Sequence, residues 1–191
     1  MILESIVVTQ DSEAVTHITP LGVQMDGELA VLAPFRPSRT LDNLIANGNA
    51  TVNFTDDVRV FAGCLTGRRD WPLSPSEAVI TPYLGNALTH LEVAVERVDD
   101  DPLRPRLHCR VLREACHAPF RGFNRAQAAV VEAAILVSRL HMLPADKIDA
   151  ERAYLTIAIE KTAGFRELEA WGWLMERIDQ FRSENRPAGA A

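Results

Sequence analysis

The chain has 191 residues and is acidic, with 26 Asp and Glu against 20 Lys and Arg and a formal net charge of −6 at pH 7. This balance excludes the basic face that nucleic-acid binding needs, although a local basic cluster can still bind an anion. No stretch approaches about 18 uninterrupted apolar residues, and the first ten residues lack a signal-peptide pattern. The sequence therefore predicts no nucleic-acid partner, no membrane partner and a cytoplasmic location.

The cysteines are few and make no disulfide framework: the chain has Cys64, Cys109 and Cys116. The pairs His108-Cys109 and Cys116-His117 look superficially like metal ligands. Strand-like alternation around Cys109 would send His108 and Cys109 to opposite faces, and the spacing matches no usual zinc pattern. We expect no metal site and a reducing compartment.

The first third of the chain is predicted to be a β-meander with strands at residues 4–9, at 15–18 continued by 22–25, and at 28–33. The break in the second strand spans Thr19, Pro20, Leu21 and Gly22. Proline cannot donate to a ladder, and glycine allows close approach of backbone, so this break predicts a bulge or the edge of a site. Asp26-Gly27 predicts a hairpin turn.

A polar cluster, formed by Arg36, Ser38, Arg39 and Thr40, precedes a short predicted helix at residues 40–47. Hydroxyl donors, charged guanidinium groups and the unpaired first amides of a helix together suit an anion, which predicts a phosphate site. The alternative is an ordinary helix N-cap, in which Ser38 or Thr40 binds a backbone N–H group. Local sequence leaves both interpretations open.

The predicted sheet continues through residues 50–55 and 58–65 and ends in a hairpin of residues 88–98 and 107–115. In the first of these strands Val52 and Phe54 share one face, and Asn53 and Thr55 share the other. If Val52 and Phe54 face the core, Asn53 points toward the ligand that the polar cluster would bind. With turn residues at short intervals, the six to eight strands predict a small antiparallel barrel.

The character of the sequence changes after residue 118. Asn124 is a plausible N-cap for a long Ala- and Leu-rich helix that Pro144 stops. Two more helices are predicted at residues 145–161 and 162–183. We expect a barrel domain at residues 1–118, a helical subdomain at 119–184 and a disordered tail at 185–191.

Several sequence blocks resemble the DUF447 proteins, which are FMN-binding split-barrel proteins of archaea, methylotrophs and planctomycetes. The resemblance runs over about residues 4–178 and rests on the order and number of the blocks. The blocks are Thr19-Pro20-Leu21-Gly22, Pro34-Phe35-x-x-Ser38-x-Thr40-x-x-Asn43-Leu44, Val52-Asn53-x-Thr55-Asp56-Asp57 with Phe61, Gly122-Phe123-Asn124-Arg125-Ala126, and Glu160-Lys161-Thr162-Ala163-Gly164.

This resemblance implies an α+β fold: a split β-barrel of the flavin-reductase-like kind, followed by a C-terminal helical segment. It also implies a homodimer with FMN near the subunit interface. The chain departs from the family at Pro37, where a small residue is frequent, and this proline would stiffen the loop before Arg39. The residues implied in cofactor binding are Ser38, Arg39, Thr40 and Asn43 at the phosphate or ribityl end, Asn53 and Thr55 on an inward face, Thr19 and Gly22 near the ring, and Arg121 and Asn124 from the other subunit.

The resemblance implies FMN binding but no particular reaction, and the first hypothesis is an FMN-dependent oxidoreductase that acts on a small molecule, with no residue identified as its catalytic acid or base. One alternative is a non-catalytic flavin- or pterin-binding accessory protein linked to one-carbon metabolism of the methanopterin type. Another is a dimerisation module without a ligand, in which the polar cluster only caps a helix.

Overall fold

The computed structural model describes residues 1–185 and divides the chain into two compact units. Unit 1 comprises Met1–Asp56 and Asp70–Phe120, and unit 2 comprises Asp57–Arg69 and Arg121–Ala191. The predicted disordered tail lies outside the described residues except for its first member, Asn185.

Unit 1 has ten strands within the described residues, eight in one antiparallel sheet and two in a small separate sheet. In chain order they are β1 (Ile2–Leu3), β2 (Ile6–Gln10), β3 (Thr16–Pro20), β4 (Val23–Asp26), β5 (Leu29–Leu32), β6 (Asn49–Phe54), β7 (Leu73–Ser74), β8 (Tyr83–Leu84), β9 (Thr89–Asp99) and β10 (Arg106–Cys116).

Unit 1 also contains one helix, and unit 2 is helical. The α-helices are α1 (Arg39–Asn47) in unit 1, then α2 (Arg59–Leu65), α3 (Arg125–Ser138), α4 (Ala145–Thr162) and α5 (Phe165–Glu184) in unit 2. A short 3-10 helix, Leu140–Met142, follows α3. No helix within residues 1–185 is long and apolar enough to cross a bilayer.

The large sheet has the strand order β1-β4-β5-β10-β9-β6-β2-β3 and is curled, which brings its two edges close together. β3 is at one edge and β4 is next to the other edge, yet only Leu21 and Gly22 separate them in the chain. The chain itself links β3 to β4 through these two residues, and the bonds from the Leu21 N–H to the Ser5 carbonyl (3.0 Å) and from the Ser5 hydroxyl to the Leu21 carbonyl (2.6 Å) extend the β2–β3 pairing up to this link. The predicted fold class, a split β-barrel followed by a helical segment, is confirmed.

The barrel core includes the buried face of α1. Leu41 and Leu44 from α1 pack with Val52 of β6, Leu32 of β5 and Leu107 of β10. Each of these five side chains is at most 2% exposed. This packing fixes where α1 begins relative to the sheet.

Two predicted elements differ from the structure. The run predicted as a strand at residues 58–65 instead contains α2 (Arg59–Leu65), because nearly every position in this run is apolar and such a run does not reveal its period. Packing of α2 against the other helices of unit 2 decides its conformation. The strand predicted to continue from 15–18 into 22–25 is two strands, β3 and β4, which pair with different partners.

Candidate functional site

The polar cluster lies at the start of α1, where Ser38 is the N-cap. The Leu41 N–H donates to the Ser38 Oγ at 3.3 Å, which confirms the capping interpretation for this residue. The Ser38 hydroxyl proton is still available to a ligand, since the oxygen acts here as an acceptor. The amides of Arg39 and Thr40 have no intrahelical acceptor, as is usual in a first turn.

The charged and amide groups of this cluster point in different directions. Arg39 is exposed and forms no ion pair with any described residue. Arg36 is held by Asp100 through a contact of 2.8 Å. Thr40 and Asn43 are only 3% and 4% exposed, and the Asn43 Nδ2 donates to the Thr9 Oγ1 at 3.0 Å.

Asn53 is completely buried, and both ends of its amide bind the chain itself. Its Nδ2 donates to the Ile6 carbonyl at 3.0 Å, and its Oδ1 accepts from the Leu84 N–H at 2.8 Å. Neighbouring residues of a strand face opposite ways, so Asn53 lies on the sheet face opposite to Val52 and α1. Thr55 donates to the Asn86 carbonyl at 3.0 Å.

The break between β3 and β4 brings chain segments close together. Thr19 is paired with Val7 on the edge strand β3. A Cβ atom on Gly22 would lie 2.7 Å from the Ile2 Cγ2, so the close approach predicted at this glycine is made by β1 of the chain itself.

Arg121 and Asn124 lie in unit 2. Arg121 is exposed, whereas Asn124 is the N-cap of α3 and accepts from the Ala126 N–H at 2.7 Å. The Asn124 Nδ2 also donates to the Thr162 carbonyl at 3.1 Å. The structure thus joins the two sequence blocks around Asn124 and Thr162 within one helical unit.

A second polar cluster in unit 1 was not found from the sequence, and it is built around Glu92 of β9. Glu92 is completely buried. Its carboxylate accepts hydrogen bonds from the backbone N–H groups of Glu77, Ala78 and Val79, at 3.1 Å from Glu77 and 3.0 Å from Val79. A buried carboxylate held by three amides is costly to assemble unless each bond is made.

Two histidines continue this cluster from Glu92 toward the surface. The His90 Nε2 lies 3.2 Å from the Glu92 Oε1, and the His90 Nδ1 lies 2.8 Å from the His117 Nε2. Tyr83 stacks on both imidazole rings, with centroid distances of 4.0 Å to His90 and 4.8 Å to His117. His90 is 2% exposed, whereas His117 is exposed.

The surroundings favour a carboxylate beside a neutral imidazole. Burial alone raises the pKa of Glu92, but the backbone hydrogen bonds from Glu77 and Ala78 and the bond to His90 bring this pKa below its ordinary value of 4.5. Burial lowers the pKa of His90 below 6.5, against the opposing effect of its bond to Glu92. Glu92 is therefore ionised and His90 neutral at pH 7.

Glu92 alternates with apolar residues along β9 in the same way as Glu96, which is an exposed partner of Arg110, so alternation alone predicts an exposed Glu92. The one available signal was His90 two residues before Glu92, since the two share a strand face. Nothing in the sequence shows that residues 77–79 cover that face.

We expect a falling pH to destabilise the protein in two separate pH ranges, the first through His90 and the second through Glu92. Unfolded His90 has a pKa near 6.5 and binds a proton more readily than folded His90, so the free energy of unfolding falls as the pH drops below 6.5. The contribution of the Glu92 carboxylate to the free energy of unfolding is fully present above pH 4.5, and it is lost only as the pH falls through the lower pKa that Glu92 has in the folded protein. Urea unfolding at pH 7.5, 6 and 5 measures the first range.

The control for this measurement is His141→Gln, which removes an exposed histidine of unit 2 and keeps the pH dependence. A free energy of unfolding that stays constant or rises from pH 7.5 to pH 5 would contradict a neutral, buried His90.

The cysteines and histidines considered as metal ligands are dispersed. Cys109 is in the barrel core, and the His108 Nε2 contacts Asp99 at 2.7 Å. Across residues 1–185 no group of three or more His, Cys, Asp or Glu side chains is arranged to hold a metal ion.

Comparison with known proteins assigns the chain to a family. Residues 3–118 match the model described as "Protein of unknown function (DUF447) N-terminal domain", and residues 124–176 match the model described as "Protein of unknown function (DUF447)". The chain belongs to the DUF447 family. No curated protein matches this DUF447 protein.

Solved structures share its fold. An FMN-bound DUF447 protein, MM1853 from Methanosarcina mazei, is 18% identical with a TM-score of 0.79, and the match covers 92% of this chain and 94% of that one. The 2-nitrobenzoate 2-nitroreductase NbaA of Pseudomonas fluorescens is 19% identical, with a TM-score of 0.52 and coverage of 60% and 64%.

A further match is nitrilotriacetate monooxygenase component B from Bacillus cereus, which is 20% identical with a TM-score of 0.52 and coverage of 67% and 78%. These matches agree with the split barrel of unit 1. The first of them extends over nearly all of this DUF447 protein.

Proposed function

We propose that this DUF447 protein binds FMN and acts as an oxidoreductase on a small molecule. The observation that carries the proposal is the match over 92% of the chain to an FMN-bound protein of the same family. The redox part is supported by folds shared with a nitroreductase and a monooxygenase component. FMN, when bound, supplies hydride and single-electron chemistry.

The start of α1 fits the phosphate of FMN. Ser38 offers a free hydroxyl proton, Arg39 offers an exposed guanidinium, and the first-turn amides point out of the helix. A dianion at this position also interacts favourably with the positive end of the helix dipole. We therefore assign Ser38 and Arg39 direct contacts with the phosphate.

Three buried residues among the others that the family resemblance implies, Thr40, Asn43 and Asn53, are proposed to support the site from within. Asn43 ties α1 to β2 through Thr9, and Asn53 ties β6 to β2 and β8. Because their polar groups are already bound, we propose that Asn43 and Asn53 hold the strands and helix in place around the cofactor. Thr40 has the same role as a buried side chain of the first turn.

We also propose that the protein is a homodimer with FMN near the interface. The support on this chain is a set of large apolar side chains left exposed on α4 and α5, including Tyr154 at 72%, Phe165 at 76% and Leu168 at 54%. Exposed apolar side chains that form a contiguous patch are typical of a surface covered by a partner chain.

The proposal predicts a protein that binds FMN and is reduced while holding it. Titration of the purified chain with FMN is expected to shift the flavin absorbance and quench its fluorescence at a stoichiometry of one per chain. NADH, NADPH or a deazaflavin is then expected to bleach the bound flavin. Stopped-flow absorbance measures both the binding and the reduction.

The outcomes separate the candidate functions. Flavin that binds but is bleached by none of the three reductants would contradict the oxidoreductase and favour a flavin-holding accessory protein. A chain that leaves the flavin spectrum unchanged at any concentration would contradict the whole proposal.

A further inference from the structure

We propose that His117 is a general base on the surface of unit 1, oriented by His90 and Glu92, and that its substrate is a small molecule with an acidic O–H or N–H group. This proposal uses no residue of the FMN site and does not depend on flavin binding. It rests on the chain of hydrogen bonds that begins at the buried carboxylate.

The direction of each bond follows from the first one. A carboxylate can only accept, so the His90 Nε2 donates to Glu92 across 3.2 Å. A neutral His90 then has no proton on Nδ1, so the His117 Nε2 donates to it across 2.8 Å. In a neutral His117 the Nδ1 then carries no proton, and this atom makes no hydrogen bond to the described part of the chain.

The geometry holds both rings rigidly while leaving the last one accessible. The Tyr83, His90 and His117 rings are parallel to within 5°. Glu92 and His90 are 0% and 2% exposed, whereas His117 is exposed. Glu92 and His90 are therefore fixed in the interior, and His117 is accessible at the surface. Carboxylate–histidine arrangements of this kind orient a base.

The charged groups around the cluster leave it with a surplus negative charge. The Arg113 Nε lies 3.4 Å from the Glu92 Oε1, and the Arg113 Nη2 contacts the Glu77 Oε1 at 2.6 Å. Two carboxylates thus face one guanidinium on β10, the buried one of Glu92 and that of Glu77, which is 72% exposed. The surplus stabilises a positive charge that appears on an imidazole.

The proton transfer balances within these groups. The O–H or N–H bond of the substrate breaks and leaves its electron pair on the substrate, while a new N–H bond forms at the His117 Nδ1. The resulting imidazolium donates more strongly from its Nε2 to His90, and the Glu92 carboxylate faces the new charge through the His90 ring. The reverse transfer returns the proton to the product.

The test uses diethyl pyrocarbonate, which reacts with unprotonated imidazole nitrogen. A nitrogen–carbon bond forms at the imidazole and ethyl carbonate leaves. Mass spectrometry of the full chain at pH 8 gives the rate at each histidine. We expect His117 to react several-fold faster than His141, an exposed histidine of unit 2 that serves as the internal reference.

Two variants ask whether the reactivity of His117 comes from the groups behind it. Glu92→Gln removes the negative charge behind His90 and is expected to lower the His117 rate to a value between those of wild-type His117 and His141. His90→Phe keeps the ring that stacks on Tyr83 and removes both hydrogen bonds, and it is expected to bring His117 to the rate of His141. The rate at His141 stays constant in both variants.

Nitrogen NMR of the wild-type chain tests the bond directly without any variant. We expect a scalar coupling across the hydrogen bond from the His117 Nε2 to the His90 Nδ1 and a slowly exchanging proton between them. Absence of this coupling, a wild-type His117 no more reactive than His141, or a His117 rate unchanged in folded His90→Phe would each overturn the proposal.

Discussion

Glu92→Ala is expected to lower the free energy of unfolding by about 3–5 kcal/mol, the cost of removing one partner from a buried ionic group. The substitution removes the acceptor of three backbone N–H groups, those of Glu77, Ala78 and Val79, which in the wild type bind the buried carboxylate. It also leaves Arg113 without its interior carboxylate. Urea unfolding followed by circular dichroism measures the loss.

The matched control is Glu96→Ala, four residues along the same strand. Glu96 is 46% exposed and pairs with Arg110 at the surface, so its removal is expected to cost about 0–1 kcal/mol. Equal losses in the two variants would show that Glu92 is solvated and that the loop at residues 77–79 does not cover it.

Asn53→Ala is expected to cost about 2–4 kcal/mol, because it removes partners from the buried Leu84 N–H and Ile6 carbonyl at once. The control is Asn49→Ala at the start of the same strand, where a half-buried amide binds the Thr81 hydroxyl at 2.6 Å and the Asn47 carbonyl at 2.8 Å and the expected cost is about 1–2 kcal/mol. The same unfolding experiment compares the two.

The Asn53→Ala variant also tests whether Asn53 only holds the strands in place or binds FMN directly. If Asn53 only holds the strands, folded Asn53→Ala protein retains most of its FMN affinity at a temperature well below its unfolding midpoint. A stable variant with unchanged unfolding and abolished FMN binding would instead make Asn53 a direct ligand of the cofactor.

Local signals predicted the parts of the fold that depend on backbone conformation or helix ends. Gly27 and Gly48 have φ values of 60° and 66°, the left-handed conformations that their turn and C-cap positions require. Asn124 caps α3 as its position before an alanine-rich helix predicts. In each case a single residue type determines the local geometry.

The parts that sequence did not predict depend on contacts between distant segments. α2 is helical because it packs with other helices of unit 2, and its own run of apolar residues fits either period. Glu92 is buried because a loop some fifteen residues earlier turns its amides toward it. For Ser38 the sequence predicted the local structure but left the function open. It allowed both a helix cap and a phosphate contact, and the Ser38 hydroxyl can make both.

The most direct test of the account compares the dissociation constants of FMN and riboflavin for the wild type and for Arg39→Ala. A charge-assisted bond to phosphate contributes about 1.5–3 kcal/mol, so this substitution is expected to weaken FMN roughly tenfold to a hundredfold and to leave riboflavin unchanged. Arg110→Ala, which removes an exposed arginine on β10, is the control and is expected to change neither constant. An FMN affinity that survives the loss of Arg39, or an equal loss for both flavins, would contradict a phosphate held at the start of α1.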